Sequence, residues 1–242
     1  VIVDEAHHME NAVTSALSFR MTQNDLERML KELGGSSAGL LGRMLTETHD
    51  ALRPSDFGLL QQKAKHATDQ AFRLEQITHE FFKVLGDFIA RQREGQPVSN
   101  YSWQMRVIPA TRTMPGWDDV EIMWSQISET MGLLMKTLDE IYKALGDVYA
   151  EGHENVQDVM GTLSNLMRRM GEAEAASSGM MHKPSNDSIY WVEVNPRGER
   201  LSLNAAPLRV GPLVQEHLWH KKAAVIMASA TLTTHGEFRY LR

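Results

Sequence analysis

The chain has no cysteine. Disulfides, thiolate zinc sites, a cysteine nucleophile and a cysteine-ligated iron–sulfur cluster are therefore excluded within these 242 residues. No apolar run approaches the roughly 18 residues that a membrane-spanning helix needs, and no signal-peptide pattern is visible. The expectation is a soluble, intracellular protein of the bacterial cytoplasmic type. An excess of positive charge is also missing: 25 Lys and Arg face 31 Asp and Glu, so bulk charge does not point to a nucleic-acid binder. The balance shifts along the chain, with 18 basic against 26 acidic residues before Pro184 and 7 against 5 from Pro184 onward. A hydrophobic share of 42% with 23% charged residues is near the globular norm and argues against wholesale disorder. An initiating methionine is lacking too. Val1-Ile2-Val3 opens the chain inside an apolar run and Phe238 to Arg242 close it without a stop-like composition, so the expectation is a piece of a longer protein.

Three zones follow from the patterning. In residues 1–8, β-branched Val1-Ile2-Val3 run into Asp4-Glu5, which reads as a buried strand ending at a loop. Residues 9–183 read as helical. Thr22-Gln23-Asn24-Asp25 is an N-cap signature, and Pro54 suits a first helical turn. Behind Pro54, Leu60, Ala64, Ala67, Ala71, Leu74, Thr78, Phe81, Leu85 and Phe88 alternate by four and three, with Thr78 interrupting the seam. After an irregular stretch the spacing returns in Val120, Trp124, Ile127, Met131, Leu134, Leu138, Ile141, Leu145 and Val148. Such seams predict long helices packed as a coiled-coil-like hairpin or bundle. Val156 to Met170 suggest one more helix, and Glu172 to Gly179 a loose connection. Residues 184–242 change character. Ile189–Val194 and Leu201–Leu203 read as a strand hairpin around the turn Asn195-Pro196-Arg197-Gly198, Val210 to Lys221 as a short helix, and Ala223–Met227 as a second buried strand before a final helix. The fold class is thus mixed α/β and predominantly helical.

Asp4-Glu5 at a strand end suits a nucleoside triphosphate site. One carboxylate can hold Mg²⁺ beside phosphates, and the other can polarise an attacking water. A solvated strand end is the bland reading of the pair alone. The longer strings are more specific. Val1-Ile2-Val3-Asp4-Glu5-Ala6-His7-His8 holds a DEAH box, motif II of superfamily 2 helicases, and Val225 to Thr233 contain Ser229-Ala230-Thr231, similar to motif III.

With a helical insertion and a hairpin between the two strings, the chain resembles the XPD/DinG family of DNA helicases. The segment from Arg106 to Trp117, the run Ala206 to Val210 and the helix before Ala223 are also similar to DinG relatives. The resemblance implies a RecA-like P-loop NTPase motor domain interrupted by an Arch-like insertion. Residues 1–8 would then carry motif II, 9–183 the insertion, and 184–242 the return to the motor with the hairpin and motif III. It implies Asp4 as the Mg²⁺-binding acid with ATP as cofactor, Glu5 as the residue that activates the hydrolytic water, and His7 as the link to the coupling motif Ser229, Ala230 and Thr231. It implies an ATP-dependent, 5′→3′ helicase acting on single-stranded and forked DNA, and strands at Val1 and Ala223 that neighbour each other and bring Asp4 close to Ser229. A Gly-x-Gly-Lys-Thr phosphate loop is absent from the chain, so this piece alone is not expected to hydrolyse ATP. Any iron–sulfur cysteines of the parent would precede motif II.

Rival readings remain. Glu5-Ala6-His7-His8 contains the Glu-x-x-His spacing of helical di-iron sites, but no other histidine has a glutamate three residues before it. A non-catalytic helical protein-interaction module would explain the seams, though not two terminal strands ending in these strings. Tyr101, Trp103, Arg106 and Arg112 mix aromatic and basic residues, as base stacking with phosphate contact would use; loop anchoring is the bland alternative. Convergence of Asp4 and Ser229 discriminates the motor from the module.

Overall fold

The computed structural model describes residues 1–93, 102–195 and 200–229. The chain starts in β1 (Ile2–Val3), makes a 3₁₀ turn at Ala6–His8, and passes through α1 (Met9–Leu17) into β2 (Phe19–Thr22). Thr22 then opens α2 (Gln23–Leu33) with a capping box. Its backbone N–H donates to Asp25 Oδ2 at 2.9 Å, and its hydroxyl accepts from the Asp25 N–H at 3.3 Å. Such a cap satisfies two otherwise orphaned donors and is worth about 1 kcal/mol. α3 (Gly39–Thr48) follows, and Pro54 occupies the first turn of α4 (Pro54–Gln92), where its missing N–H costs nothing. Then come β3 (Trp103–Arg106), the single turn α5 (Pro109–Arg112) and α6 (Trp117–Ala150). A 3₁₀ turn at Glu154–Val156 leads to α7 (Gln157–Met181). The chain finishes with β4 (Ser188–Asn195), β5 (Arg200–Pro207), the short α8 (Gly211–Val214), a π turn at Gln215–Trp219, and β6 (Ile226–Met227).

The two heptad seams meet. Leu74, Phe81, Leu85 and Phe88 of α4 and Trp124, Ile127, Leu134, Leu138 and Ile141 of α6 are fully buried. Aromatic pairs lock the contact edge to face, Phe81 on Trp124 at 5.3 Å and Phe88 on Trp117 at 5.4 Å between ring centroids. Lys63 of α4 bonds Glu140 of α6 and holds that carboxyl below its ordinary range; the pair is exposed, so it sets register more than stability. α7 packs on α6 through Leu163, Leu166 and Met170.

The loose connection expected over Glu172–Gly179 is instead the last two turns of α7. Ala173 and Ser177 are buried there, and Ser178 Oγ accepts from the Trp124 indole N–H at 2.9 Å while donating to Glu174 at 2.6 Å. Small residues at these positions let a helix approach closely rather than break it. A Cβ on Gly179 would lie 3.0 Å from the Tyr190 hydroxyl, which is how closely α7 approaches β4.

A four-stranded antiparallel sheet, ordered β2-β5-β4-β3, closes the base of the bundle. Met21, Leu203, Tyr190, Val192 and Val194 face the helices as core, and Phe19, Trp103 and Met105 pack against it. β2 and β3 lie in the zone expected to be helical and are missing from the sequence reading. Each has only four residues and leaves too short an alternation to register. β1 and β6 form a separate parallel pair. Both strands were expected to be buried, yet Ile2 is 74% and Ile226 61% exposed. A two-stranded ladder pairs the backbone without covering the side chains. Pro196, Arg197 and Gly198 of the expected turn, and the final expected helix, lie outside the described residues.

Thr78 is fully buried and its hydroxyl has no partner among the described residues. A buried unsatisfied hydroxyl costs about 1–3 kcal/mol, and valine has nearly the same shape. Thr78→Val is expected to raise the unfolding free energy by about 1 kcal/mol in urea denaturation; a loss of stability would mean that the hydroxyl is satisfied.

Candidate active site

The parallel pair sets Ile2 opposite Ile226 and Val3 opposite Met227. The ladder then runs past the strand ends: the Ala228 N–H donates to the Val3 carbonyl at 2.9 Å, and the Ala6 N–H to the Ala228 carbonyl at 3.0 Å. These bonds stitch the acidic loop to the residue before Ser229. Asp4 and Glu5 are exposed at the end of β1. Asp4 Oδ1 accepts from the Glu5 N–H at 2.9 Å, and no other described residue engages that carboxylate. Glu5 sits in the left-handed region at φ 49° and ψ 45°, the one non-glycine at positive φ among the described residues. That conformation costs roughly 1–2 kcal/mol. It turns the chain sharply, so that the His8 N–H donates back to the Glu5 carbonyl at 2.9 Å and the 3₁₀ turn begins.

The turn aims His7 at both sides of the junction. Its Nδ1 lies 2.7 Å from Ser229 Oγ and 3.2 Å from Glu5 Oε2. One ring nitrogen thus serves a hydroxyl and a carboxylate. A protonated Nδ1 donates to Glu5 or to Ser229; a bare Nδ1 accepts from the Ser229 hydroxyl and leaves Glu5 without a donor. The imidazole tautomer therefore couples the carboxylate to the second strand. The His8 ring lies against that of His7, tilted by 43° with centroids 3.8 Å apart, and makes no polar contact with a described side chain. Ala230 and Thr231 of the second string, and Tyr101 of the aromatic–basic group, lie outside the described residues.

The rest of the aromatic–basic group separates. Trp103 packs against the core from β3. Arg112 donates to the Met180 carbonyl at the end of α7. Burial pulls the Arg112 guanidinium below its ordinary value while Glu121 and Tyr190 act in the opposite sense; it remains charged. Arg106 alternates to the other face of β3 and is exposed. Sequence reasoning left out Arg20 and Trp191, which share that outward face (β2 and β4); the polar alternation Arg20-x-Thr22 and Trp191-x-Glu193 was the available signal.

No family model matches the chain. An alignment of 255 positions covering 99% of the chain is 24% identical to the 3'-5' exonuclease DinG of Bacillus subtilis, of which the chain spans 25%. A second alignment, of 117 residues and 40% of the chain, is 27% identical to the ATP-dependent DNA helicase DinG of Photobacterium profundum, over 16% of that protein. The chain is similar to these two DinG proteins. It spans a quarter or less of the length of these two curated relatives.

The left-handed turn at Glu5 has a direct test. Glu5→Gly releases the strain while Glu5→Gln keeps it, and both remove the charge. The glycine variant is expected to be the more stable by up to about 1 kcal/mol in urea denaturation. A more stable glutamine variant would contradict the turn.

Proposed function

We propose that the chain is the part of an ATP-dependent DNA helicase in which a RecA-like motor domain is interrupted by an Arch-like helical insertion. In this reading residues 1–8 carry the nucleotide-facing loop, 9–183 the insertion, and 184–242 the return to the motor. The observation that carries it is the junction of Asp4, Glu5 and His7 with Ser229, across more than two hundred residues of chain. A helical interaction module gives no reason for that convergence. Of the two relatives, one is named a 3'-5' exonuclease and the other an ATP-dependent DNA helicase, and the second name supports DNA as the substrate.

The donor set suits Mg²⁺ with ATP. Mg²⁺ takes hard oxygen ligands from one or two carboxylates together with phosphates and water, and Asp4 offers an exposed carboxylate engaged only by a backbone N–H. Asp4 would hold the ion, and Mg²⁺ with ATP supplies the phosphoryl group that is transferred to water. Glu5 is the general base, taking the proton of the attacking water at its carboxylate. His7 Nδ1 orients that carboxylate and reports its state to Ser229. Ser229, with Ala230 and Thr231, passes the change toward movement of single-stranded DNA in the 5′→3′ direction. The helical insertion would form part of the channel or wedge at a fork, inside a bacterial cell. The phosphate loop, a second motor domain and any iron–sulfur cluster would come from other parts of the parent.

In the longer protein, Glu5→Gln is expected to lower DNA-stimulated ATP hydrolysis by about 10²–10⁴-fold while ATP-dependent DNA binding persists. Hydrolysis at the parent rate in that variant would overturn the reading.

A further inference from the structure

An open cavity of about 560 Å³ lies between α3, the turn that precedes it and the first turns of α4. That volume suits a side chain or a small molecule. The cavity stands at the end of the bundle remote from the four-stranded sheet. Gly86, near the other end of α4, sits beside Leu201 of β5. At 1.5 Å of rise per residue, Phe57 in the cavity wall is roughly 40 Å along the helix from it. The rim is preformed. Ser36 and Ser37 are the tip of a two-residue turn, closed by the Gly35 N–H on the Ala38 carbonyl at 2.9 Å and the Ala38 N–H on the Gly35 carbonyl at 3.3 Å. A Cβ on Gly42 would lie 2.7 Å from the Ser37 carbonyl carbon, so glycine there lets the turn fold onto α3.

The polar groups of the cavity have more to accept with than to donate. Thr46 spends its proton on the Gly42 carbonyl at 3.0 Å and keeps its lone pairs. Asp50 is exposed and accepts from His49 Nδ1 at 2.7 Å, which leaves Nε2 of the neutral ring as an acceptor. Ser36, Ser37 and Gln61 are exposed, their side chains have no partner among the described residues, and each has an oxygen to offer. Half-buried Phe57 supplies an aromatic wall, with the edge of His49 against it at 5.1 Å between ring centroids. No lysine or arginine among the described residues lines the cavity, and Arg43 and Arg53 of the adjoining turns are taken up by Glu47 and Asp56. An anion finds no counter-charge there. A planar cation rich in donors finds a carboxylate, neutral acceptors and a ring to stack on. The zone before Pro184, with 18 basic against 26 acidic residues, also draws cations.

We infer that this cavity is a docking site for an arginine side chain presented by a basic segment of a protein partner, with the guanidinium paired to Asp50 and stacked on Phe57. The site is remote from the ATP chemistry proposed above and does not depend on it.

The test is fluorescence anisotropy of a short fluorescein-labelled Gly-Arg repeat peptide titrated with the whole 242-residue chain at low salt. The same peptide with citrulline for arginine keeps the shape and loses the charge, and is expected to bind at least about tenfold more weakly. A Gly-Lys peptide is expected to bind more weakly than the arginine peptide, because an ammonium neither forks nor stacks as a guanidinium does. Asp50→Asn keeps an acceptor for His49 and removes the charge; it lowers affinity about tenfold with the melting temperature of the wild type. Phe57→Leu keeps an apolar wall and lowers affinity about threefold. Glu129→Gln, which neutralises an exposed acid elsewhere on α6, leaves affinity unchanged. If Glu129→Gln weakens binding as much as Asp50→Asn, the attraction is diffuse and the proposal falls. It falls equally if the wild-type chain does not bind the arginine peptide, or if free arginine binds as tightly as the peptide. Displacement of the peptide by an oligothymidylate, lost in Phe57→Leu, would make the cavity a nucleobase site and overturn it as well.

Discussion

Backbone pairing between segments more than two hundred residues apart is the constraint on which the site depends. Ile2 and Val3 reach Ile226 and Met227 only because the long helical excursion returns to its origin. Closing a flexible loop of that length costs roughly 5 kcal/mol beyond a constant, more than a two-residue ladder can offset. The four-stranded sheet removes most of the problem. β2, early in the chain, pairs with β5 over Phe19–Thr22, and the helices between them bury their seams against one another. Once that unit is formed, only residues 4–18 and 208–225 remain as connections. The helical bundle therefore also acts as the spacer that brings two strand ends together.

Local strain then gives the junction its chemical shape. A glutamate in the left-handed region is unfavourable, and the Asp4 carboxylate on its N–H together with the 3₁₀ turn behind it hold it there. The turn places one imidazole nitrogen between a carboxylate and a hydroxyl from opposite ends of the chain. The link is short and has two arrangements set by a proton position. A contact that must connect nucleotide state to a second structural segment needs that property. Glu5 is exposed and His7 and Ser229 are half-buried, so the Glu5–His7 arm contributes little to stability.

The sequence made some of this legible and hid the rest for physical reasons. Heptad spacing located the α4 and α6 seams because a helix repeats its signal over many turns, and the Thr22–Asp25 box marked a true helix start. The strings around Asp4 and Ser229 pointed to the convergence through their resemblance to motifs II and III. β2 and β3 escaped because four-residue strands carry only two residues per face. The end of α7 read as a loop because its small residues serve close packing around Ser178, which composition cannot tell from flexibility. Arg106, Arg112 and Trp103 are near in sequence yet diverge in space. Alternation turns Trp103 inward and Arg106 outward, and a helix end claims Arg112.

Convergence of the two strand ends is the central claim, and the absence of cysteine allows a clean measurement of it. Ile2 and Ile226 are opposite each other and both exposed, a spacing that a disulfide can bridge, because paired strands bring Cα atoms within the range of roughly 4.4–6.8 Å. With Ile2→Cys and Ile226→Cys in one chain, mild oxidation is predicted to give a fast, quantitative intramolecular crosslink, seen as a mobility shift on a non-reducing gel that reductant reverses. Thiols that stay free, or that crosslink only between chains, would contradict the pairing and the site built on it.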